Sequence, residues 1–205
     1  MLRLWGRLSS INMRKVVLCA QMLELPFERV DAGLSHGIVN TPEYLRKNPN
    51  GLVPLLEDGD FTLWESNAIV RYLCASNRSA LYPHDLAARF DAERWMDWQQ
   101  TTLNRASAGA FVQWIRTPPE RRDAQAIAAS VAATEPLFTR LDEHLSKQAF
   151  MAGEAPSMAD IPIACEVHRW WGLPQERPDW PHLERWYALW LAMPASQGVL
   201  DLPLS

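Results

Sequence analysis

Three short segments of this 205-residue chain bring together residue types that could do chemistry on a small ligand. The first, Ser9-Ser10-Ile11-Asn12-Met13-Arg14, sets two hydroxyls and an amide at the entrance of a helical pattern. A hydroxyl there either caps the helix or, beside the positive helix end, stabilises an anion such as a thiolate. The second is Asn48-Pro49-Asn50-Gly51-Leu52-Val53-Pro54-Leu55. A proline just inside a strand means either an edge strand or a cis bond; a cis Val53–Pro54 bond would leave the Val53 amide and carbonyl to pair with an extended peptide. The third, Trp64-Glu65-Ser66-Asn67, stands at a strand-to-helix junction. Ser66 either caps that helix, or the helix start receives a ligand carboxylate while Glu65 meets an ammonium group.

The elements that must position these segments fall into two textures. Leu2–Trp5, Phe27–Asp31, Val53–Glu57 and Phe61–Leu63 read as strands, the last two joined through Asp58-Gly59-Asp60 as a hairpin, with a polar loop ahead of Val53. Met13–Leu23 and the run from Ser66 to Cys74 read as helices. Beyond Asn77 the strand pattern disappears. Asn77–Leu86 reads as a linker and Ala87–Ile115 as one long helix, ended by Thr117-Pro118-Pro119. Further helices are expected over Asp123–Leu145, kinked near Pro136, then Ser157–Trp170, Leu183–Ala192 and Ala195–Leu200. Ser157 and Asp160 have capping-box spacing and read as structural. Eight of the ten tryptophans lie between Trp95 and Trp190, which predicts a large aromatic core or cleft wall. The expected class is α/β plus all-α, with an α/β unit over residues 1–77 and an all-helical unit over 87–205.

Composition narrows the function. Apolar residues are 48% and charged residues 21%, as in folded soluble proteins, which excludes disordered, collagenous and coiled-coil readings. The net charge of −4 arises beyond residue 77, where 12 Lys/Arg face 16 Asp/Glu. No cation cluster suits nucleic acid. Apolar stretches fall short of the ~18 residues a span needs, and no leader pattern opens the chain, so the reading is soluble and intracellular with no membrane partner. Cys19, Cys74 and Cys165 are odd in number and lack a Cys-x-x-Cys, which predicts reduced, buried thiols and no metal site.

In their order along the chain, the three segments resemble the cytosolic glutathione S-transferases, most closely bacterial members related to the theta and beta groups. Ser157-Met158-Ala159-Asp160 fits the family's helical-domain capping motif. The resemblance implies a thioredoxin-like N-terminal domain, an all-helical C-terminal domain, a cytoplasmic homodimer with a detoxifying role, and glutathione as co-substrate with a small electrophile and no metal. Carried over, Val53 pairs with the cysteinyl backbone beside a cis Pro54, and Glu65 and Ser66 hold the γ-glutamyl end. Ser10 stands four residues before Arg14, where theta-like members place the thiolate-stabilising serine, with Ser9 as alternative and Asn12 as second donor. Leu52 replaces a lysine that several relatives direct at the glycine carboxylate; His36, Asn40 or Lys47 could substitute, and Asn50 belongs to the same loop. Where theta-like relatives direct an acidic residue at the partner subunit's ligand, this chain has Gln99, Gln100, Thr101 and Asn104, with Asp97 the nearest acid, so an amide or hydroxyl is the alternative for that contact. Arg7, Phe111 and Trp114, with Trp171, are the candidates for the electrophile site. Two other readings remain at this stage: a glutathione-dependent disulfide or peroxide reductase, and a non-catalytic binding module of the same fold.

Overall fold

Alternation of buried and exposed residues makes Leu2–Trp5 a strand (β1) with two faces. In the computed structural model, which describes residues 1–205, it pairs in parallel with β2 (Phe27–Val30) and antiparallel with β3 (Leu55–Asp58). β4 (Phe61–Trp64) completes the sheet in the order β2-β1-β3-β4. This four-stranded sheet, with α1 (Ile11–Met22), α2 (Pro42–Lys47) and α3 (Ser66–Ser76), forms the first of two compact units, Met1–Tyr82, with a thioredoxin-like fold.

The cross-strand partners Trp5 and Leu55 pack with Ala32 and Tyr44 on the α2 side, and the Trp5 and Tyr44 rings meet edge-on at 6.1 Å. Their strand neighbours Leu4 and Leu56, both fully buried, therefore occupy the opposite face. α1 is buried continuously from Met13 to Ala20 and packs against α3. At that contact Cys19 and Cys74 place their sulfurs 3.6 Å apart. The hydrogen bond to Cys74, and burial after it, push the Cys19 thiol well above its usual range, so it is an inert proton-bearing group.

α2 falls in the stretch read from sequence as a loop. Thr41 caps it by accepting from the Tyr44 amide, and Pro42 opens its first turn. Lys47 at its end bonds Glu57 at 2.6 Å, and its ammonium lies over the Trp5 ring. Burial raises the Glu57 pKa, but bonds from Lys47 and Trp5 outweigh it and hold the carboxyl below its usual range.

The second unit, Pro83–Ser205, is helical. The predicted long helix is a continuous run of α4 (Leu86–Trp98), a π-helical turn (Gln99–Leu103), α5 (Asn104–Phe111) and a second π-helical turn (Val112–Arg116). α6 (Ala124–Leu145) runs through Pro136, followed by α7 (Asp160–Trp171) and α8 (Pro181–Ala192). The helix expected over Ala195–Leu200 is absent: a short 3-10 turn, Pro194–Ser196, stands there, and Gly198 turns the chain at φ +70°.

Aromatic rings fill the core of this unit. Phe138 packs on Trp170, Trp171 and Trp180 at 5.3–5.6 Å, and Trp186 on Trp190 at 5.9 Å. α5 and α6 approach so closely that the Ser130 hydroxyl enters the α5 ladder, donating to the Ala106 carbonyl and accepting from the Ala110 amide at 2.9 Å. Gly109 permits this, since a methyl group there would lie 3.1 Å from the Ser130 Cβ. The Ser157–Asp160 spacing forms its reciprocal bonds: Asp160 accepts from the Ser157 amide, and the Ser157 hydroxyl accepts from the Ala159 amide.

Candidate active site

The turn between β1 and α1 carries the first chemical segment. Gly6 ends β1 at φ +152°, and a methyl group there would lie 2.7 Å from the Met13 sulfur and 3.3 Å from the Val53 Cβ. That contact sets the turn directly against the Val53–Pro54 segment. Arg14, nearly fully buried, donates from Nε to the Leu8 carbonyl at 2.7 Å and braces the turn from below. Sequence reading used Arg14 only as a spacing landmark; its bracing role was missed.

Ser10 occupies the N-cap position of α1 with extended backbone, yet its side chain caps nothing. Its backbone takes the expected bonds, the amide to Arg7 and the carbonyl from Arg14, while the half-buried hydroxyl has no partner in the chain. The capping alternative for Ser10 is thereby removed. Ser9 lies beside it, also half-buried.

Ser66 is not the cap of α3 either. The N-cap is Glu65, and the Ser66 hydroxyl instead donates to the Asn12 side-chain oxygen at 3.3 Å. This bond joins the first turns of α1 and α3. Two helix starts, each without a side-chain cap, therefore stand together, and their dipoles favour negative charge. Glu65 is exposed and held at φ +72°, ψ 111°, a conformation costing about 1–3 kcal/mol for a residue with a Cβ.

The Val53–Pro54 bond is cis, and β3 begins only at Leu55, so the ordinary edge-strand alternative gives way. Neither the Val53 amide nor its carbonyl is paired within the chain. The preceding Leu52 carbonyl accepts from the Tyr44 hydroxyl at 2.6 Å and from Asn48 Nδ2 at 2.8 Å. Asn48 Oδ1 in turn accepts from the Asn50 amide and Asn50 Nδ2.

The remaining candidates separate. Asn40 is exposed and lies against Gly51, on the same edge as Leu52 and Val53. Exposed His36 closes a 3-10 turn, Leu34–His36, in a loop tied by the Gly33 amide to the Gly37 carbonyl. Lys47 is directed into its bonds with Glu57 and Glu43. Arg7 packs its guanidinium on Gly33 beside Val53, close enough that a Gly33 methyl group would meet Nη1 at 2.5 Å.

In the helical unit, Phe111 lies beneath the Arg116 and Arg169 guanidinium groups at 5.5 and 5.3 Å. Trp114 sits in the second π-helical turn, stacked on Arg122, which also donates to the Trp114 carbonyl at 2.9 Å. Trp171 belongs to the aromatic core rather than to an open wall. Gln99 is fully buried and donates to Glu166 at 2.7 Å, while Asn104 accepts from Arg169, so neither amide is directed outward. The same unit holds a cavity of about 260 Å³ lined by Arg94, Trp95, Trp98 and Arg140, none of them a sequence candidate. No group of three or more His, Cys, Asp or Glu is placed to hold a metal ion, and no helix is long and apolar enough to cross a membrane.

Models of the glutathione S-transferase N-terminal domain and C-terminal domain match residues 1–75 and 124–189. The chain is 42% identical over 208 residues to glutathione S-transferase GstB of Escherichia coli K12, with both chains covered in full. It is 34% identical over 172 residues to human glutathione S-transferase theta-1, covering 81% of this chain and 72% of that one. Among solved structures, the glutathione-bound theta class enzyme of the citrus canker pathogen Xanthomonas axonopodis pv. citri superposes with a TM-score of 0.96 at 40% identity, over 100% of this chain and 99% of that chain.

Proposed function

Since the chain belongs to the glutathione S-transferase family, we propose that the cluster formed by Ser10, Asn12, Val53, Glu65 and Ser66 is its glutathione site. The enzyme is a glutathione transferase: it joins the sulfur of γ-Glu-Cys-Gly to an electrophile. In our reading the γ-glutamyl carboxylate meets the uncapped start of α3 with Ser66, and Glu65 meets its ammonium group. The cysteinyl backbone pairs with Val53 as a short added strand. Ser10 donates to the sulfur at the start of α1, with Asn12 and Ser9 as its neighbours. Asn40, with His36 and Asn50 on the adjoining loops, faces the glycine end in place of the lysine that Leu52 replaces.

The observation that carries this reading is the Ser10 hydroxyl, which stands at a helix N-cap and bonds to nothing. A free thiol with a pKa of about 8.5 is only a few per cent ionised at neutral pH. One hydroxyl bond to the charged sulfur contributes roughly 1.5–3 kcal/mol, which lowers that pKa by about 1–2 units. Attack by the thiolate then forms the carbon–sulfur bond as the leaving group departs, and the electrophile's placement supplies the rest of the rate. Phe111 and Trp114 of the helical unit are our assignment for an apolar electrophile, and Arg7 for an acidic one. The protein acts in the cytoplasm as a homodimer in this reading. Calorimetric titration with glutathione, followed by thiolate absorbance of the complex across pH, tests it. Saturable binding with a depressed thiol pKa is expected, whereas binding with an unshifted thiol would refute the catalytic assignment. The reductase alternative has little support, since Cys19 is sealed inside α1 with its proton held.

A further inference from the structure

Where the Val53 N–H points is decided by the residue before it. A peptide group is planar, and across the trans Leu52–Val53 bond the Leu52 carbonyl and the Val53 N–H point in opposite directions. The Leu52 carbonyl is held at 2.6 Å by the Tyr44 hydroxyl and at 2.8 Å by Asn48 Nδ2. Both donors belong to side chains only 2% exposed, whereas the Leu52 side chain is 65% exposed. The carbonyl therefore faces inward and the amide on its far side faces away from those donors. Asn48 is itself fixed, because its oxygen accepts two bonds from Asn50. Tyr44 is wedged among Ala32, Leu55 and Trp5, and burial, against a smaller opposing effect of Asn48, pushes its phenol up to about 12, so the hydroxyl keeps its proton and donates.

We infer that Tyr44 and Asn48 are positioning residues for glutathione recognition: by clamping the Leu52 carbonyl inward, they aim the Val53 N–H at the cysteinyl carbonyl of the tripeptide. The inference rests on the glutathione site proposed above. Neither side chain touches the ligand. Without the clamp the Leu52–Val53 peptide samples other orientations, and affinity falls by the fraction of time its amide is turned away.

The test pairs a protein change with a ligand change. Tyr44→Phe removes only the hydroxyl and keeps the ring in its cluster; Asn48→Ala removes the second donor. Each is titrated with glutathione and with an analogue whose Cys–Gly peptide is a trans alkene, which keeps the shape but lacks the carbonyl oxygen. The expected result is about three- to tenfold weaker glutathione binding in each variant and less than about twofold change for the alkene analogue. Turnover at saturating glutathione and the bound thiol pKa stay at wild-type values. Equal losses for both ligands would mean general loosening of the loop and would overturn the clamp, as would no loss for either. Absence of glutathione binding by the wild-type protein is a separate outcome that removes the underlying site and the clamp with it.

Discussion

Replacing Ser10 with alanine tests the site with little structural side effect. The hydroxyl bonds to no part of the protein and caps no helix, so its loss should change stability by no more than about 0.5 kcal/mol. In the proposed site it removes the bond to the thiolate, worth roughly 1.5–3 kcal/mol, and the bound thiol pKa should then rise by about 1–2 units. With a wild-type value near about 7, half the bound thiol is ionised at neutral pH, and a variant near about 8.5 retains only a few per cent. Turnover at pH 7 should fall by about tenfold or more, and the two rates should converge above about pH 9, where both thiols are ionised. The assay is turnover against pH at saturating glutathione, with an electrophile that does not itself titrate. An alanine variant that keeps the wild-type midpoint would refute the hydroxyl's role. Ser9→Ala run alongside decides between the neighbours, because only the hydroxyl that meets the sulfur moves the midpoint.

Two further predictions concern the helical unit. Asp160 is fully buried and accepts bonds from Met151, Ser157 and Trp186; desolvation outweighs these donors and raises its pKa to about 6. A carboxyl raised in the folded state makes the native protein bind more protons than the unfolded chain between about pH 4 and 6. Stability is therefore greatest below that window and declines by about 3 kcal/mol as pH rises through it. Asp160→Asn should remove that slope in denaturant melts, and parallel curves for the two proteins would exclude it. Ser130→Ala leaves the Ala110 amide and the Ala106 carbonyl without their bridging hydroxyl and should cost about 1–3 kcal/mol, read as a lowered denaturant midpoint with glutathione affinity unchanged.

What the sequence made legible was local. Ser, Gly and Pro at fixed spacing act through their own backbone, so the helix start at Ser10, the hairpin at Asp58–Asp60 and the Val53–Pro54 segment were readable without coordinates. The capping alternative for Ser66 failed for the opposite reason: its hydroxyl serves a partner 54 residues away, which no local pattern reveals. Tyr44 was invisible because α2 has only six residues and no apolar period, although Thr41-Pro42-Glu43 is a helix-start signature. Ala195–Leu200 was over-read because its apolar residues outweighed a glycine that needs positive φ. The two π-helical turns leave no trace in a hydrophobic pattern, yet the first lies where Gln99 turns inward to Glu166.

The helices differ in how they begin, and α7, like the two helices of the proposed site, has no side chain capping its N-cap position. α2, α4 and α6 begin with Thr41, Asp85 and Asp123 accepting first-turn amides, and Asp142 of α6 accepts the first amides of α8, His182 and Leu183. α1 and α3, joined by the Asn12–Ser66 bond, are left without a side-chain cap. A cap contributes about 1 kcal/mol, so its omission at α1 and α3 is a cost to the free protein that, in the proposed site, the bound glutathione anion offsets. Ser10→Asp should restore the missing cap. A carboxylate at that position accepts the amides of the first turn and complements the dipole, stabilising the free enzyme by about 0.5–2 kcal/mol, or roughly 1–8 °C in midpoint for a chain of this size. The same charge stands where the sulfur must ionise and repels it, so turnover at pH 7 should fall below that of Ser10→Ala. Thermal melts and conjugation rates of the three proteins decide the matter. A Ser10→Asp enzyme that gains no stability would mean that the helix start is already satisfied. One that gains stability and keeps wild-type turnover would mean that the thiolate forms elsewhere.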